Sequence, residues 1–263
     1  MHELPRVGSR VAVRSAVAPL VGEPRVSASQ VSQRVSGQVL DVLEHGGDDW
    51  LRVRGDDAYE GWVHRGYVEA LDAFEPSRSD VLTSLGCVVQ AAHGCRRALP
   101  LRARLWPGER VVSGEAISES DLRRRFPATR RAVAASAREL FSGTSYEWGG
   151  VTPWGADCSG FVQTIFALHG VALPRDAWQQ GLEGDDAGAD PQSLAPGDLL
   201  FFSDRADGRI THVGIALGNA AMVHCALGRG GNSVDDLRDE RDGYVRALLE
   251  RFRFARRLGS LRD

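Results

Sequence analysis

The spacing of apolar residues along this chain changes near residue 118. The first part has short apolar runs separated by Gly- and Asp-rich turns, which predict strands at 11–13, 37–43, 49–53 and 61–63, with weaker ones at 86–89 and 109–112. Many short strands of this kind are typical of small β-barrels. We therefore predict one small β-barrel at residues 1–70 and a second, similar unit at 71–117.

The remainder, 118–263, has the patterns of both helices and strands. Ser118 and Asp121 form a capping-box pattern that begins a short helix, and Pro127 suits the first turn of the next, which extends to about Phe141. A buried helix is predicted at 158–169. Apolar runs predict strands at 199–202, 211–217 and 221–225. This mixture predicts the α+β fold class.

One cysteine lies where a thiol would be activated. Asp157 is a good N-cap residue, so Cys158 falls in the first turn of the predicted helix. The unpaired N–H groups and the positive dipole end found there favour a thiolate and could bind an oxyanion. Most free cysteines are buried structural residues. The Gly-rich entry at 149–155 and the polar Ser159 favour a nucleophile instead.

Two histidines follow in positions that could serve this cysteine. His212 and His224 lie in consecutive predicted strands joined by a hairpin turn at Gly218-Asn219. If they pair directly, both rings share one face, whereas a slip of one residue would separate them. One ring would act as base toward Cys158, and the other would hold it in the correct tautomer. Zinc bound by Cys158, both histidines and Cys225 is the alternative, although no short paired-ligand spacing supports it.

These residues belong to a series of motifs that resembles the NlpC/P60 cysteine peptidases, which cleave the peptide stems of bacterial cell walls. The motifs occur in the family's order over about 127–257: YEWGG at 146–150, DCSGF at 157–161, LPRD at 173–176, PGDL at 196–199, THVG at 211–214 and VH at 223–224. Several independent motifs in one order are a specific signal. The resemblance implies Cys158 as nucleophile, His212 as general base and His224 as the orienting residue.

The same resemblance implies the architecture. We expect a papain-like catalytic domain at 118–263, in which the helix carrying the cysteine packs on an antiparallel sheet. Small β-barrel domains of the bacterial SH3-like type would precede it at 1–70 and 71–117. Within the family the chain is similar to γ-D-glutamyl-L-diamino-acid endopeptidases, in which the SH3-like domain closes one end of the cleft.

In those enzymes the free amine of an N-terminal L-alanine is recognised, and the resemblance assigns this role to Glu23, Tyr59 and Asp176. The other pocket residues that it implies are Tyr146, Trp148, Asp157, Ser159 and Arg175. A buried ammonium needs such carboxylates and acceptors. Ala177 stands where the family often has serine, which removes a hydroxyl donor from the pocket.

Without the resemblance, three of these residues have simpler interpretations. Glu23 would be a solvated loop carboxylate. Tyr59 would pack within a small barrel. Arg175 would be a structural ion-pair partner of Asp176.

Composition narrows the range of partners. A hydrophobic fraction of 43% and a charged fraction of 25% are ordinary for a folded protein, and a net charge of -3 indicates neither nucleic acid nor an anionic membrane as a partner. No apolar run approaches the roughly 20 residues of a membrane span, and the first residues lack a secretory pattern. We expect a cytoplasmic monomer without cofactor or metal, or an extracytoplasmic protein if a leader has been removed.

The predicted reaction is hydrolysis of the γ-D-glutamyl-L-diamino acid bond through a thioester on Cys158. A murein peptide such as L-Ala-γ-D-Glu-diaminopimelate would be the substrate, in cell-wall peptide recycling. The alternatives are a secreted hydrolase of intact wall stems, an acyltransferase with the same triad, and a non-catalytic wall-binding module. The complete Cys-His-His set weighs against the last of these.

Overall fold

The computed structural model describes residues 4–71 and 81–263. Contacts divide it into two compact units, Met1–Arg124 and Arg125–Asp263. The predicted boundary between two SH3-like domains at residue 71 adjoins 72–80, which lie outside the described residues, and that division stays a prediction. In the part of the chain that the structure describes, no helix has the length and apolar character needed to cross a bilayer.

The first unit is built on an antiparallel sheet of seven strands. They are β1 (Arg10–Val13), β2 (Val17–Val21), β3 (Gln30–Val35), β4 (Val39–His45), β5 (Trp50–Arg54), β6 (Glu60–His64) and β7 (Val68–Ala70), in the spatial order β3-β2-β6-β5-β4-β1-β7. Alternate side chains along these strands form a buried core that includes Val11, Val13, Leu40, Val42 and Leu51. The four predicted strands of this region correspond to β1, β4, β5 and β6.

The sequence pattern did not predict three strands of this sheet: β2, β3 and the short β7. β2 contains Pro19, which argues against a strand, and β3 is mostly polar. Burial of β3 is possible because its Arg34 makes two hydrogen bonds to Asp57, of 2.9 Å and 2.7 Å. A paired charge can be buried where an unpaired one cannot.

A second antiparallel sheet in the same unit has three strands in the order β10-β8-β9. They are β8 (Leu82–Gln90), β9 (Arg96–Leu99) and β10 (Arg110–Ser118). Helix α1 (Glu119–Arg125) follows, and the helix start predicted from Ser118 and Asp121 is confirmed. The Asp121 N–H donates to Ser118 Oγ at 3.2 Å, and the Ser118 hydroxyl donates to Asp121 Oδ2 at 2.8 Å.

The second unit combines helices with a six-stranded antiparallel sheet of order β13-β18-β14-β15-β16-β17. Its elements in chain order are α2 (Arg130–Glu139), β11 (Val151–Thr152), β12 (Gly155–Ala156), α3 (Cys158–Leu168), α4 (Ala177–Gln180), β13 (Asp185–Asp186), β14 (Leu199–Phe202), β15 (His212–Gly218), β16 (Ala221–Ala226), β17 (Gly231–Asp236), α5 (Gly243–Glu250) and β18 (Phe252–Arg257). Helix α3 packs against α2, β15 and β16. The predicted α+β class, with the cysteine-bearing helix on an antiparallel sheet, is confirmed.

The start of α2 differs from the prediction. The helix begins at Arg130 and not at Pro127, because Thr129 is its N-cap and accepts a hydrogen bond from the Ala132 N–H at 3.3 Å. Pro127 lies before the helix, and its carbonyl oxygen accepts a hydrogen bond of 2.8 Å from Nδ1 of the buried His169. This contact joins the segment before α2 to the end of α3.

Candidate active site

The N-terminus of α3 has the local structure that its sequence predicts. Asp157 is the N-cap, with its Oδ1 accepting from the Gly160 N–H at 2.7 Å, and Cys158 is the first helical residue. Gly170, with φ of 76°, follows the C-cap His169. The predicted capping of this helix is therefore confirmed at both ends.

The glycine loop before α3 lies against the first turn of the helix. The Gly149 N–H donates to Asp157 Oδ2 at 2.9 Å. A Cβ on Gly160 would lie only 2.1 Å from the Gly150 carbonyl oxygen. Only glycine permits this close approach, which brings the loop onto the helix end that carries Cys158.

Arg175 is an ion-pair partner, but of Asp157 and not of Asp176 as the simpler interpretation held. Its guanidinium donates to Asp157 Oδ1 at 3.0 Å and Oδ2 at 2.6 Å, and to Ser159 Oγ at 2.9 Å. The pairing differs because Arg175 points into the interior, where the buried cap carboxylate needs a counter-charge. Asp176 instead lies at the N-cap position of α4, and its Oδ2 accepts from Trp178 Nε1 at 3.3 Å.

The two histidines meet, although in a different register from the predicted one. His212 Nε2 lies 2.8 Å from His224 Nδ1. The strands pair Ile215 with Val223 and Ala216 with Met222, so the histidines are diagonal neighbours and direct pairing is wrong. A shift of two residues keeps both rings on one face.

The hairpin turn explains the shift. Its tip is Asn219-Ala220, with φ of 52° and 59°, one residue beyond the predicted Gly218-Asn219, and a bulge separates Ala216 from Gly218. Gly214 then lies next to His224, since a Cβ built on it would be 3.3 Å from His224 Cβ. The absence of a side chain at 214 leaves room for the second ring.

A further residue, which the sequence motifs did not reveal, continues this chain of contacts. Asp235 Oδ2 lies 2.8 Å from His224 Nε2, and Asp235 Oδ1 accepts from Arg229 at 2.8 Å. Both His224 and Asp235 are buried. The only signal available in the sequence was the alternation of the 231–236 segment, which places Asp235 on one face of a strand after His224.

Burial controls the protonation of the site. It raises the pKa of the Cys158 thiol to about 12, and the carboxylate of Asp157 adds to the rise against the backbone N–H groups of Val213 and Ser159, which lower it. Burial also lowers the pKa of His212 to about 3, with a further contribution from His224. Both shifts favour the uncharged forms, because desolvation acts against the helix dipole at the thiol and against protonation of the imidazole. The thiolate expected at Cys158 stays a prediction.

Tyr146 and Trp148, which were predicted to line the pocket, differ in their exposure to solvent. Tyr146 is half-buried, and burial, with the nearby Cys158 and Asp157, raises its pKa above the ordinary value, so its hydroxyl is a neutral donor near the thiol. Trp148 is 66% exposed. Cys225, adjacent to His224 in sequence, is buried, and its thiol donates to the Ala156 carbonyl at 3.1 Å.

Glu23 and Tyr59 belong to the first unit. Glu23 accepts from Arg25 at 2.9 Å and is exposed. The Tyr59 backbone is fixed by Asp57, whose Oδ1 accepts from the Tyr59 N–H at 3.1 Å. Their role in recognition stays a prediction.

Among residues 4–71 and 81–263, no group of three or more His, Cys, Asp or Glu side chains is arranged to hold a metal ion.

Comparison with known proteins identifies both parts of the chain. The NlpC/P60 family model matches residues 143–246, and the bacterial SH3 domain model matches residues 22–69. The chain carries an NlpC/P60 domain preceded by a bacterial SH3 domain. The NlpC/P60 match contains Cys158, His212, His224 and Asp235.

Individual relatives agree with this identification. Over 108 residues the chain is 36% identical to a gamma-D-glutamyl-L-lysine dipeptidyl-peptidase of Bacillus cereus, a match that covers 41% of this chain and 31% of that protein. The chain thus spans about a third of that relative's length. Dipeptidyl-peptidase 6 of Lysinibacillus sphaericus is 27% identical over 264 residues, covering 88% of this chain and 93% of that one.

The fold has a solved counterpart. The crystal structure of an NlpC/P60 family protein from Bacillus cereus has a TM-score of 0.77 with 21% sequence identity, and the match covers 95% of this chain and 99% of that one. At this identity the likeness concerns the fold.

Proposed function

We propose that the protein is a cysteine peptidase that hydrolyses the γ-D-glutamyl-L-diamino acid bond of murein peptides. The observation that carries the proposal is Cys158 at the start of α3, in the same NlpC/P60 domain as the His212–His224 pair. The relative named gamma-D-glutamyl-L-lysine dipeptidyl-peptidase supports this bond as the target.

In the first step the neutral Cys158 thiol and the neutral His212 imidazole react together. His212 uses Nε2 in its contact with His224, so Nδ1 is the nitrogen that takes the thiol proton. The Cys158 sulfur forms a bond to the γ-carbonyl carbon of D-glutamate. The backbone N–H groups of the first turn of α3 and the Tyr146 hydroxyl stabilise the oxyanion.

In the second step the C–N bond breaks, and His212 passes its proton to the leaving amine of the diamino acid. This leaves a thioester on Cys158. Water attacks the thioester carbonyl while His212 accepts a proton from it. The C–S bond then breaks and His212 returns this proton to the Cys158 sulfur, and the dipeptide acid loses its own proton to solvent and leaves as a carboxylate. His224 holds His212 in one orientation through both steps.

The proposal includes recognition of a free N-terminal amine by Glu23, Tyr59 and Asp176. An ammonium that leaves water needs carboxylates or well-placed acceptors. An enzyme with this requirement acts on released peptides, because the alanine nitrogen of an intact stem is acylated. The proposed role is therefore recycling of murein peptides, with the cytoplasm as the proposed location.

Four substrates separate this role from its rivals: L-Ala-γ-D-Glu-diaminopimelate, the corresponding L-lysine tripeptide, the N-acetyl form of the first and intact sacculi. We expect rapid cleavage of the free tripeptides only. Cys158→Ala should abolish turnover and keep binding. His224→Ala should lower kcat less severely, because it removes orientation and leaves the base in place.

Glu23→Gln tests amine recognition, with Glu44→Gln as the matched control, since both are exposed carboxylates paired with an arginine in the same sheet unit. We expect Glu23→Gln to raise KM for the free tripeptide and Glu44→Gln to leave it unchanged. Equal rates on free and acetylated peptides would exclude the amine requirement. Normal hydrolysis by Cys158→Ala would exclude the nucleophile.

A further inference from the structure

A continuous line of polar contacts extends beyond the histidine pair to the start of α5. His212 contacts His224, His224 contacts Asp235, and Asp235 contacts Arg229. Arg229 also donates to Asp242, the N-cap of α5, and its guanidinium carbon lies 4.3 Å from the centre of the Tyr244 ring. The Tyr244 ring on α5 also lies against His224, with 6.0 Å between the two ring centres.

The carboxylate at the centre of this line is ionised. Burial opposes ionisation of Asp235, but hydrogen bonds from His224 and Arg229 hold its pKa below the usual value. An ionised carboxylate only accepts hydrogen bonds. His224 Nε2 must therefore carry the proton in its 2.8 Å contact with Asp235 Oδ2.

That assignment determines the direction of the remaining contacts. In a neutral imidazole with a protonated Nε2, Nδ1 is an acceptor. His224 Nδ1 consequently accepts from His212 Nε2, and His212 Nδ1 keeps its lone pair. This is the tautomer in which His212 can take a proton from the Cys158 thiol.

Arg229 supplies the counter-charge of Asp235. Its guanidinium balances the charge of this buried carboxylate through the 2.8 Å bond to Asp235 Oδ1.

We propose that Asp235 is a positioning residue that sets the tautomers of His224 and His212, and that Arg229 holds Asp235 in this role; the proposal rests on the proposed function. Neither residue needs to touch substrate. The inference adds a fourth and a fifth member to the Cys158–His212–His224 set.

The decisive variant is Asp235→Asn, which keeps the shape. Arg229 attracts the amide oxygen, because a guanidinium can only donate. The amide NH2 then faces His224 Nε2 and forces that nitrogen to accept, which protonates Nδ1. His212 Nε2 becomes the acceptor and its Nδ1 carries the proton, so the base is blocked.

We expect kcat for the free tripeptide to fall about 10²- to 10³-fold in Asp235→Asn, with KM within about twofold. Exchange of the orienting Asp for Asn in a serine-protease triad costs about 10⁴-fold through the wrong tautomer, and Asp235 acts one ring further away. Asp236→Asn is the matched control, since Asp236 is the next residue on β17, exposed and paired with Arg238. It should retain full activity.

The double variant Arg229→Met/Asp235→Asn separates tautomer control from a structural role. Without the guanidinium the amide can turn its oxygen to His224, so kcat should recover at least about tenfold over Asp235→Asn. Arg229→Met alone should move the acid limb of the kcat–pH profile to higher pH, because the charge of Asp235, which raises the pKa of His212, is then unbalanced. Arg238→Met should leave the profile unchanged.

The imidazole ¹⁵N NMR spectrum tests the relay without any substrate. Asp235→Asn should convert His212 from the Nε2–H to the Nδ1–H tautomer. An unchanged His212 tautomer, or a kcat within about threefold of Asp236→Asn, would overturn the proposal. If the wild-type protein cleaves none of the peptides, the proposed function fails, and the tautomer measurement still decides the role of Asp235.

Discussion

Arg175 holds both carboxylate oxygens of Asp157, at 3.0 Å and 2.6 Å, and the two side chains are only 2% and 7% exposed. The same carboxylate caps α3 and accepts from the Gly149 N–H. One buried ion pair thus joins the segment after α3 and the glycine loop to the helix end that carries Cys158. The electrostatics at Cys158 depend on this pair, since Asp157 raises the pKa of the thiol and Arg175 lowers it.

Arg175→Met should lower the free energy of unfolding by about 3–5 kcal/mol, because it leaves a buried carboxylate without its partner. Urea titration followed by tryptophan fluorescence measures the loss. Arg205→Met is the control, since the Arg205–Asp207 pair is 53% exposed on each side and should contribute almost nothing. Similar losses in the two variants would mean that the buried pair does not stabilise the site.

The alkylation rate of Cys158 in the unliganded protein should keep rising with pH and show no plateau below pH 9. With the pKa raised to about 12 by burial, the thiolate fraction grows about tenfold for each pH unit in this range. Mass spectrometry after iodoacetamide treatment resolves Cys158, and the exposed Cys95 in the same digest reports on the reagent. A rate that is constant between pH 5 and 8 would instead indicate a thiolate–imidazolium pair.

Stability should fall as the pH decreases from about 6.5 to 4, and His212 should cause part of the fall. Burial lowers the pKa of His212 to about 3, so the unfolded chain takes up a proton in this range that the folded protein excludes. Burial lowers the pKa of His169 as well, so this residue also reduces the stability as the pH falls. The aspartates with lowered pKa values, such as Asp207, reduce the stability only below about pH 4.

Urea midpoints measured across this pH range provide the check. His212→Gln should show a shallower dependence than the wild type, because one of the excluded protons is no longer involved. Identical slopes for the two proteins would contradict the lowered pKa of His212.

Gly214→Ala should reduce kcat and cost about 1–3 kcal/mol of stability, because overpacking displaces neighbouring groups. Its Cβ would lie 2.5 Å from Met222 Sδ and 3.3 Å from His224 Cβ. Gly243→Ala is the matched control: a Cβ there would meet only Arg246 Nη2, at 3.7 Å, and alanine favours the helix. An unchanged kcat in Gly214→Ala would show that the position of the His224 ring does not depend on the absence of a side chain at residue 214.

Local sequence was sufficient for the start of α3. Asp157 as cap, Cys158 in the first turn and Gly170 after the helix follow from short-range preferences, which act within a few residues and are visible in the sequence. The order of the motifs likewise predicted the NlpC/P60 domain. Polar or Pro-containing strands such as β2 and β3 were missed, because the contacts that permit their burial lie far away in the chain.

Only the tertiary structure decided the rest of the site. The bulge before Gly218 set the histidine register, long-range packing gave Arg175 to Asp157, and strand pairing brought Asp235 to His224. Burial then raised the pKa of Cys158 and lowered that of His212. Sequence determines which groups are present and how each local segment begins and ends, whereas partners and proton positions depend on distance and desolvation, which exist only once the chain has folded.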